Sequence, residues 1–458
     1  MDSFDKDTIA ALSTPWGRGG IAVIRISGDK TPTILEKIIE KCPKPLTPGK
    51  TCHSFVIDGT KRIDECVMVF FKAPHSYTGE DSAEISVHSN PFLVEELLDL
   101  IYKTGKKETR AALPGEFTYR AFKNGKMDLL QAESVNELIN ANSRYFAHMK
   151  FGTLEGKLSR LTEELKEQLI NLGVRIETKI EFEEDQFFEE ISIADQLNAP
   201  LKQLEALLSN ARFNELLNKG LNVVIVGKVN VGKSSLFNTL LMEDRSIISH
   251  IPGTTRDFIK EKIFIQGFPI ELTDAAGINR ETRDDIEAQG IQRSLEKIKH
   301  SDAVIFMLDA SEPFDQGDKE IYELIKQKKK LLAVNKLDIK EQTVLDAIAA
   351  YFKEESIARI SVKEHTNIEA VTGFFQEIIS DIKGKETDFT INQRQKLALE
   401  ELHAILTRVK EMSVTHSHHV EIMAEEIRQA AAIIGQLMGE ITPDDILNKI
   451  FSQFCVGK

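Results

Sequence analysis

Residues Gly227 to Ser234 read GKVNVGKS, placing two glycines, a lysine and a hydroxyl at the GxxxxGK[ST] spacing, after the branched apolar run LNVVIV and before SLFNTLL. A strand feeding a glycine-rich loop that opens a helix turns backbone amides inward around phosphate oxygens. In such a loop Lys233 reaches the β and γ phosphates and the Ser234 hydroxyl ligates Mg²⁺, with Asn230, Val231, Gly232 and Ser235 completing the cradle. Asp274 to Gly277 (DAAG) follows FPIELT and offers a carboxylate for a water-mediated Mg²⁺ contact and a glycine amide for the γ phosphate. Asn335, Lys336 and Asp338 (NKLD) come directly after LLAV. A carboxylate at that point accepts from both the N1 and the exocyclic amino donors of guanine. Adenine lacks that donor pair, so the pattern predicts GTP over ATP. Ser361, Val362 and Lys363 (SVK) stand where a further loop backs the guanine.

Loops of this kind need strands to hold them. Residues 220 to 382 alternate apolar runs (LNVVIVG, AVIFMLD, LLAVN) with helical stretches, the rhythm of a parallel α/β sheet. The flanks differ. The first 120 or so residues carry strand-like runs at Ile21 to Ser27, Cys66 to Phe71 and Glu84 to His88, as expected of an α+β domain. Long helical periodicity rich in Leu, Glu and Lys fills Asp128 to Lys219 and returns from Ile391 to Phe454. The reading is a multidomain chain: an α+β N-terminal domain over 1–122, an all-α helical domain in two parts, 123–218 and 383–458, and an inserted α/β P-loop domain over 219–382. Insertion suits domains whose termini lie close together at the surface.

Composition agrees and excludes other classes. At 458 residues the chain has room for about three domains of roughly 150 residues each. With 41% hydrophobic and 28% charged residues and no apolar run near the roughly 18 residues of a membrane span, no membrane span is expected. The opening MDSFDKDTIA is acidic, unlike a secretory leader. Cys42, Cys52, Cys66 and Cys455 form no CxxC pair, which points to free thiols in a reducing cytoplasm. The net charge of −14 argues against a protein that coats nucleic acid by bulk electrostatics. That charge is uneven: residues 177–190 hold seven acids against one lysine, and residues 421–445 hold six against one arginine. A local or shared contact with nucleic acid stays open.

The order of the nucleotide motifs resembles the translation-factor-like GTPases, and the loop Pro252 to Asp257 (PGTTRD), with Asn230, narrows the resemblance to the MnmE (TrmE) family of tRNA modification GTPases. The likeness runs from DTIAALSTPWGRGGIAVIRISG at Asp7, through LPGEFTYRAFKNGKMDLLQAE at Leu113, to the terminal FCVGK at Phe454. Val229, Ala275 and Val362 depart from the Pro, Thr and Ala usual in that family, and none removes a side-chain ligand. Ile278 follows the DAAG loop where many GTPases carry a water-orienting glutamine, so another group must orient the water and a cation must offset the charge building on the phosphates. The resemblance implies K⁺ in that place, held by Asn230, Ser249, Ile251 and Thr254 within a GTP-binding switch loop that includes Gly253. It implies that Thr255 joins Ser234 on Mg²⁺, that Glu287 positions the water, and that two GTPase domains meet across their nucleotides. As a plain residue, Glu287 has another reading, an acid in a helical first turn.

The same resemblance implies a homodimer built by the N-terminal domain, and a folate there, 5-formyl- or 5,10-methylene-tetrahydrofolate, contacted by Arg25, Glu84, Lys126 and Lys458. Read alone, those four are surface charges. It implies a catalytic Cys455, whose other reading is a small apolar residue closing the last helix. It also implies a heterotetramer with an MnmG (GidA)-type flavoprotein that carries FAD and uses NADH. The pair would add a carboxymethylaminomethyl or aminomethyl group at C5 of the wobble uridine of certain tRNAs. The competing reading is a regulatory GTPase switch, such as a ribosome-assembly factor. His416, His418 and His419 (HSHH) have no acid or cysteine at ligand spacing and read as a solvated turn.

Overall fold

The computed structural model describes residues 7–141, 143–181, 192–243, 260–265, 268–274, 296–353, 355–383, 388–415, 420–440 and 444–457. The chain forms two compact units, one of Met1–Asn140, Lys150–Glu205 and Leu397–Lys458, the other of Ala141–Met149 and Ala206–Lys396.

In the first unit, six strands, β1 (Thr8–Leu12), β2 (Ile21–Ser27), β3 (Thr51–Asp58), β4 (Lys61–Phe71), β5 (Ser82–His88) and β6 (Thr109–Ala111), form one sheet in the order β3-β4-β5-β2-β1-β6. All neighbours are antiparallel except β1 and β6. Alternation along IAVIRIS sends Ala22, Ile24 and Ile26 to one face and Val23 and Arg25 to the other. The helices Thr31–Ile38 and Pro91–Gly105 cover the first face with Ile34, Leu35, Val94, Leu97 and Ile101. On the other face Ile9, Ala11, Ala112 and Phe117 make a smaller cluster.

The helical part of this unit begins at Leu129–Ile139, whose start is a reciprocal cap: Asp128 accepts from the Gln131 amide, and the Gln131 side chain accepts from the Asp128 amide. Helix Lys157–Glu181 packs along Val420–Met438. Leu165, Leu169, Leu172 and Ile176 on the first and Met423, Ile427 and Ile434 on the second are buried, at the three-and-four spacing of amphipathic helices. None of the described helices is long and apolar enough to cross a membrane.

The second unit is built on β7 (Leu221–Val226), β8 (Lys260–Ile265), β9 (Phe268–Asp274), β10 (Ala303–Asp309), β11 (Lys329–Asn335) and β12 (Ile357–Arg359). Their order is β12-β11-β10-β7-β9-β8, parallel throughout except that β8 runs against β9. Helices cover both faces, so the central strands carry continuous apolar runs rather than alternating ones. Val223 and Ile225 join one core with Phe375 and Ile379, whereas Val224 and Val226 join a second core with Ile321 and Ile348. Ala141, Tyr145, Phe146 and Met149, which lie within the segment read as helical, pack into the first of these cores. The chain leaves β7 for β9 on one side and β10 on the other, which opens a crevice at the carboxyl ends of the strands. The architecture is the expected one: an α+β sheet domain, a helical part, and an inserted α/β domain.

Candidate functional site

The phosphate loop leaves the carboxyl end of β7 and runs into helix Lys233–Glu243. Its shape depends on residues without side-chain bulk. Gly227 has φ +150° and Gly232 φ +99°, and an added Cβ would lie 2.4 Å from the Met307 carbonyl oxygen or from the Asn335 amide nitrogen, respectively. Asn230 between them takes the left-handed conformation at φ 63°. The loop thus carries Asn230, Val231 and Gly232 into the first helical residues Lys233, Ser234 and Ser235, as the spacing anticipates. Lys233 is buried, and its ammonium donates to the carbonyls of Gly227 at 3.0 Å and Lys228 at 2.6 Å. Its nitrogen therefore sits inside the loop among backbone carbonyls, where a phosphate-reaching lysine must start.

The base-reading loops lie at the ends of β11 and β12. Asn335 is 3% exposed. Its side-chain amide donates to the Val231 carbonyl at 2.8 Å, and its oxygen accepts from the Val362 amide at 3.0 Å. One side chain therefore ties the phosphate loop to the loop after β12. Ser361 donates to Asp338 Oδ1 at 2.8 Å, and Lys363 lies 3.7 Å from Oδ2. The Ser361 hydroxyl foremost, with Lys363 adding to it, holds the Asp338 carboxyl below the usual carboxylate range. Asp338 is therefore an ionised double acceptor at neutral pH, the form that two guanine donors require.

Lys336 has φ 65°, and its ammonium pairs with Asp309 at 2.6 Å. Burial alone would raise the Asp309 carboxyl, but Lys336 and Ser311 outweigh it and hold it low. Motif spacing does not single out Asp309. Its signal is a polar residue closing the otherwise apolar strand AVIFMLD at the carboxyl edge where α/β sheets place their ligands. Asp274 ends β9 with its Cα paired to Ile225, two residues before Gly227. Gly277, Ser249, Ile251, Gly253, Thr254, Thr255, Glu287 and Lys458 lie outside the described residues, as do His416, His418 and His419. Among the described residues no group of three or more His, Cys, Asp or Glu is placed to hold a metal ion.

In the other unit Arg25 and Glu84 face each other across β2 and β5, and Arg25 donates to Glu84 Oε1 from Nε at 3.1 Å and Nη2 at 2.8 Å. The guanidinium lies 5.0 Å from the Tyr77 ring centroid and 5.6 Å from that of Phe117. Its Nη1 is buried with no hydrogen-bond partner among the described residues. Lys126 reaches the same 74–79 loop from another side, donating to the Pro74 carbonyl at 3.0 Å. The structure joins Arg25 with Glu84 directly, whereas the Lys126 ammonium bonds to the Pro74 carbonyl instead.

The terminal FCVGK is anchored at both ends. Phe454 is buried with Phe451 and Leu447, and the Gly115 amide donates to the Cys455 carbonyl at 3.4 Å. Ser13 donates to the Gly457 carbonyl at 3.1 Å, where an added Cβ on Gly457 would lie 2.2 Å from the Leu12 carbonyl oxygen. Between these anchors Cys455 is exposed, so it is not the buried apolar plug of the simpler reading. Beside Gly115, Glu116 accepts from Arg110 and Arg120 at 2.7 and 2.8 Å and from the Leu113 amide at 2.8 Å. Burial would raise this carboxyl, but Arg110, the Leu113 amide and Arg120 hold it below its ordinary value.

Comparison with known proteins bears on the whole chain. Residues 129–455 match the model of the MnmE helical domain, and residues 8–126 match that of the GTP-binding protein TrmE N-terminus. The tRNA modification GTPase MnmE of Aquifex aeolicus is 37% identical over 457 residues, covering 99% of this chain and all of that one. The protein of the same name from Thermotoga maritima is 38% identical over 457 residues at the same coverage. The chain belongs to the MnmE (TrmE) family.

Proposed function

We propose that this chain uses GTP binding and hydrolysis to drive C5 modification of wobble uridines. It is a GTPase of tRNA modification: its full-length relatives carry that name, and the loops after β7, β11 and β12 of its second unit support a guanine nucleotide there. The nucleotide part of the reading is supported above all by Asn335, which couples the phosphate loop to the guanine-backing loop.

In this mechanism the amides of residues 230–235 and Lys233 hold the β and γ phosphates, and Asp338 accepts both guanine donors. Ser234 and Thr255 would hold Mg²⁺, a hard cation suited to hydroxyl oxygens; when bound it neutralises charge on the phosphates. Asn230, with Ser249, Ile251 and Thr254, would supply oxygen donors of the kind that suit K⁺, which would stand in place of an arginine finger. Glu287 positions the attacking water. Asp274 and Gly277 would serve the γ phosphate, the first through Mg²⁺ and a water, the second through its amide. Ser361, Val362 and Lys363 back the guanine.

For the first unit the reading is a folate site. Arg25, Glu84, Lys126 and Lys458 would hold a tetrahydrofolate, and the buried donor of Arg25 suits an oxygen-rich ligand. That cofactor supplies a one-carbon unit. The exposed Cys455 stands as the reactive thiol. The partners in this reading are a second copy of the chain and an MnmG-type flavoprotein bearing FAD and using NADH, in the cytoplasm, with tRNA as substrate. The domain limits proposed from sequence, 1–122, 123–218, 219–382 and 383–458, go with it. Mass spectrometry of wobble uridines from cells lacking the protein tests the whole reading. Loss of the C5 group, restored by the intact gene, is expected; an unchanged C5 pattern refutes it.

A further inference from the structure

Lys228, the residue after the first glycine of the phosphate loop, is held from two directions. Its carbonyl accepts from the Lys233 ammonium at 2.6 Å. Its own ammonium lies 2.8 Å from Asp315 Oδ1 and 2.7 Å from Asp318 Oδ2. Both carboxylates sit at the start of helix Gln316–Ile325, and each is fixed by the cap of that helix. Asp315 Oδ1 accepts from the Gly317 amide at 2.8 Å, and Asp318 Oδ2 accepts from the Asp315 amide at 3.1 Å. The lysine stem passes over Gly317, where an added Cβ would lie 3.5 Å from Lys228 Cε, and lines a small cavity with Val231, Leu308 and Phe314. Asp318 is buried and Lys228 is largely so. Two carboxylates this close to a loop that must take up phosphates would repel the ligand if no cation stood between them.

We propose that Lys228 is a positioning residue for nucleotide phosphates: the Asp315 and Asp318 carboxylates fix its side chain, and through it the carbonyl that holds Lys233. The same ammonium shields the phosphates from the two carboxylates. Lys228 does this without touching nucleotide, so its loss falls on nucleotide binding rather than on the chemical step. The inference rests on the GTPase reading above.

Steady-state GTP turnover of the full chain separates the two. Wild-type protein that fails to hydrolyse GTP overturns the GTPase reading itself. With active wild type, Lys228→Met raises KM for GTP on the order of tenfold and leaves kcat within about twofold. Lys228→Arg, which can still span both carboxylates, recovers most of the loss. Asp318→Asn, a second variant that keeps the helix cap acceptor, moves KM in the same direction. Lys228→Met combined with Asp318→Asn is no worse than Lys228→Met alone, because both act through one contact. An unchanged KM in Lys228→Met, a fall in kcat alone, failure of Lys228→Arg to rescue, or multiplying losses in the double variant would each overturn the proposal.

Discussion

Replacing Asn335 with alanine is expected to disable guanine nucleotide binding while leaving the sheet intact. The side chain makes two hydrogen bonds, to the Val231 carbonyl at 2.8 Å and from the Val362 amide at 3.0 Å. Val231 and Val362 are themselves 1% and 5% exposed. Alanine leaves a backbone acceptor and a backbone donor buried without partners, at about 1–3 kcal/mol each, or roughly 2–6 kcal/mol together. Water entering the vacated polar space offsets part of that, which leaves roughly 2–4 kcal/mol. Bound nucleotide needs both loops ordered, so the cost appears in affinity: at about 1.4 kcal/mol per tenfold, Kd for GDP rises at least roughly thirtyfold. Fluorescence titration with a labelled GDP measures this, and a thermal melt of the same sample checks the fold. A Kd within about threefold of wild type, in protein that still unfolds cooperatively, would refute the assignment of Asn335 as the tie between the loops.

Two further outcomes follow from the same physics. Asp338→Asn exchanges a double acceptor for one acceptor and one donor, which suits xanthine; turnover of limiting GTP falls on the order of a hundredfold or more while xanthosine triphosphate becomes the better substrate, as competition between the two nucleotides reports. Glu116, whose folded-state carboxyl titrates below its ordinary 4.5, contributes stability that is full above that value and lost as pH falls through the lower folded value. The melting temperature of wild type therefore drops as pH is taken below 4.5, whereas Glu116→Gln melts lower at neutral pH and shows a shallower acid dependence.

Much of the fold was legible because burial on two faces leaves a plain trace. The run LNVVIV has no alternation, since Val223 and Val224 point into different cores, and its length and the following glycine mark it as a central parallel strand. Alternation in IAVIRIS marked β2 equally well and placed Arg25 on the face away from the main core. The phosphate and base loops were legible because their constraints are local: a glycine at positive φ and a carboxylate three residues past the asparagine are visible in a few letters. Pairings across distance were not. Nothing near Lys228 announces Asp315 and Asp318, and Asn335 reads as part of a base-recognition motif rather than as a brace on Val231. The segment Ala141–Met149 has helical periodicity, which says nothing about which core its Phe146 and Met149 enter. The readings on Ser249 to Thr255, Gly277, Glu287 and Lys458 lie outside the described residues.

The docking of the tail has a consequence for biosynthesis. The hydrogen bond from Ser13 to the Gly457 carbonyl joins residues 444 positions apart. At a ribosomal rate of about 5–20 residues per second, the end of β1 waits roughly 20–90 seconds for the partner that covers it. The entire inserted α/β unit is translated in that interval. The segment that carries Cys455 can therefore dock beside the end of β1 only after that unit has been made.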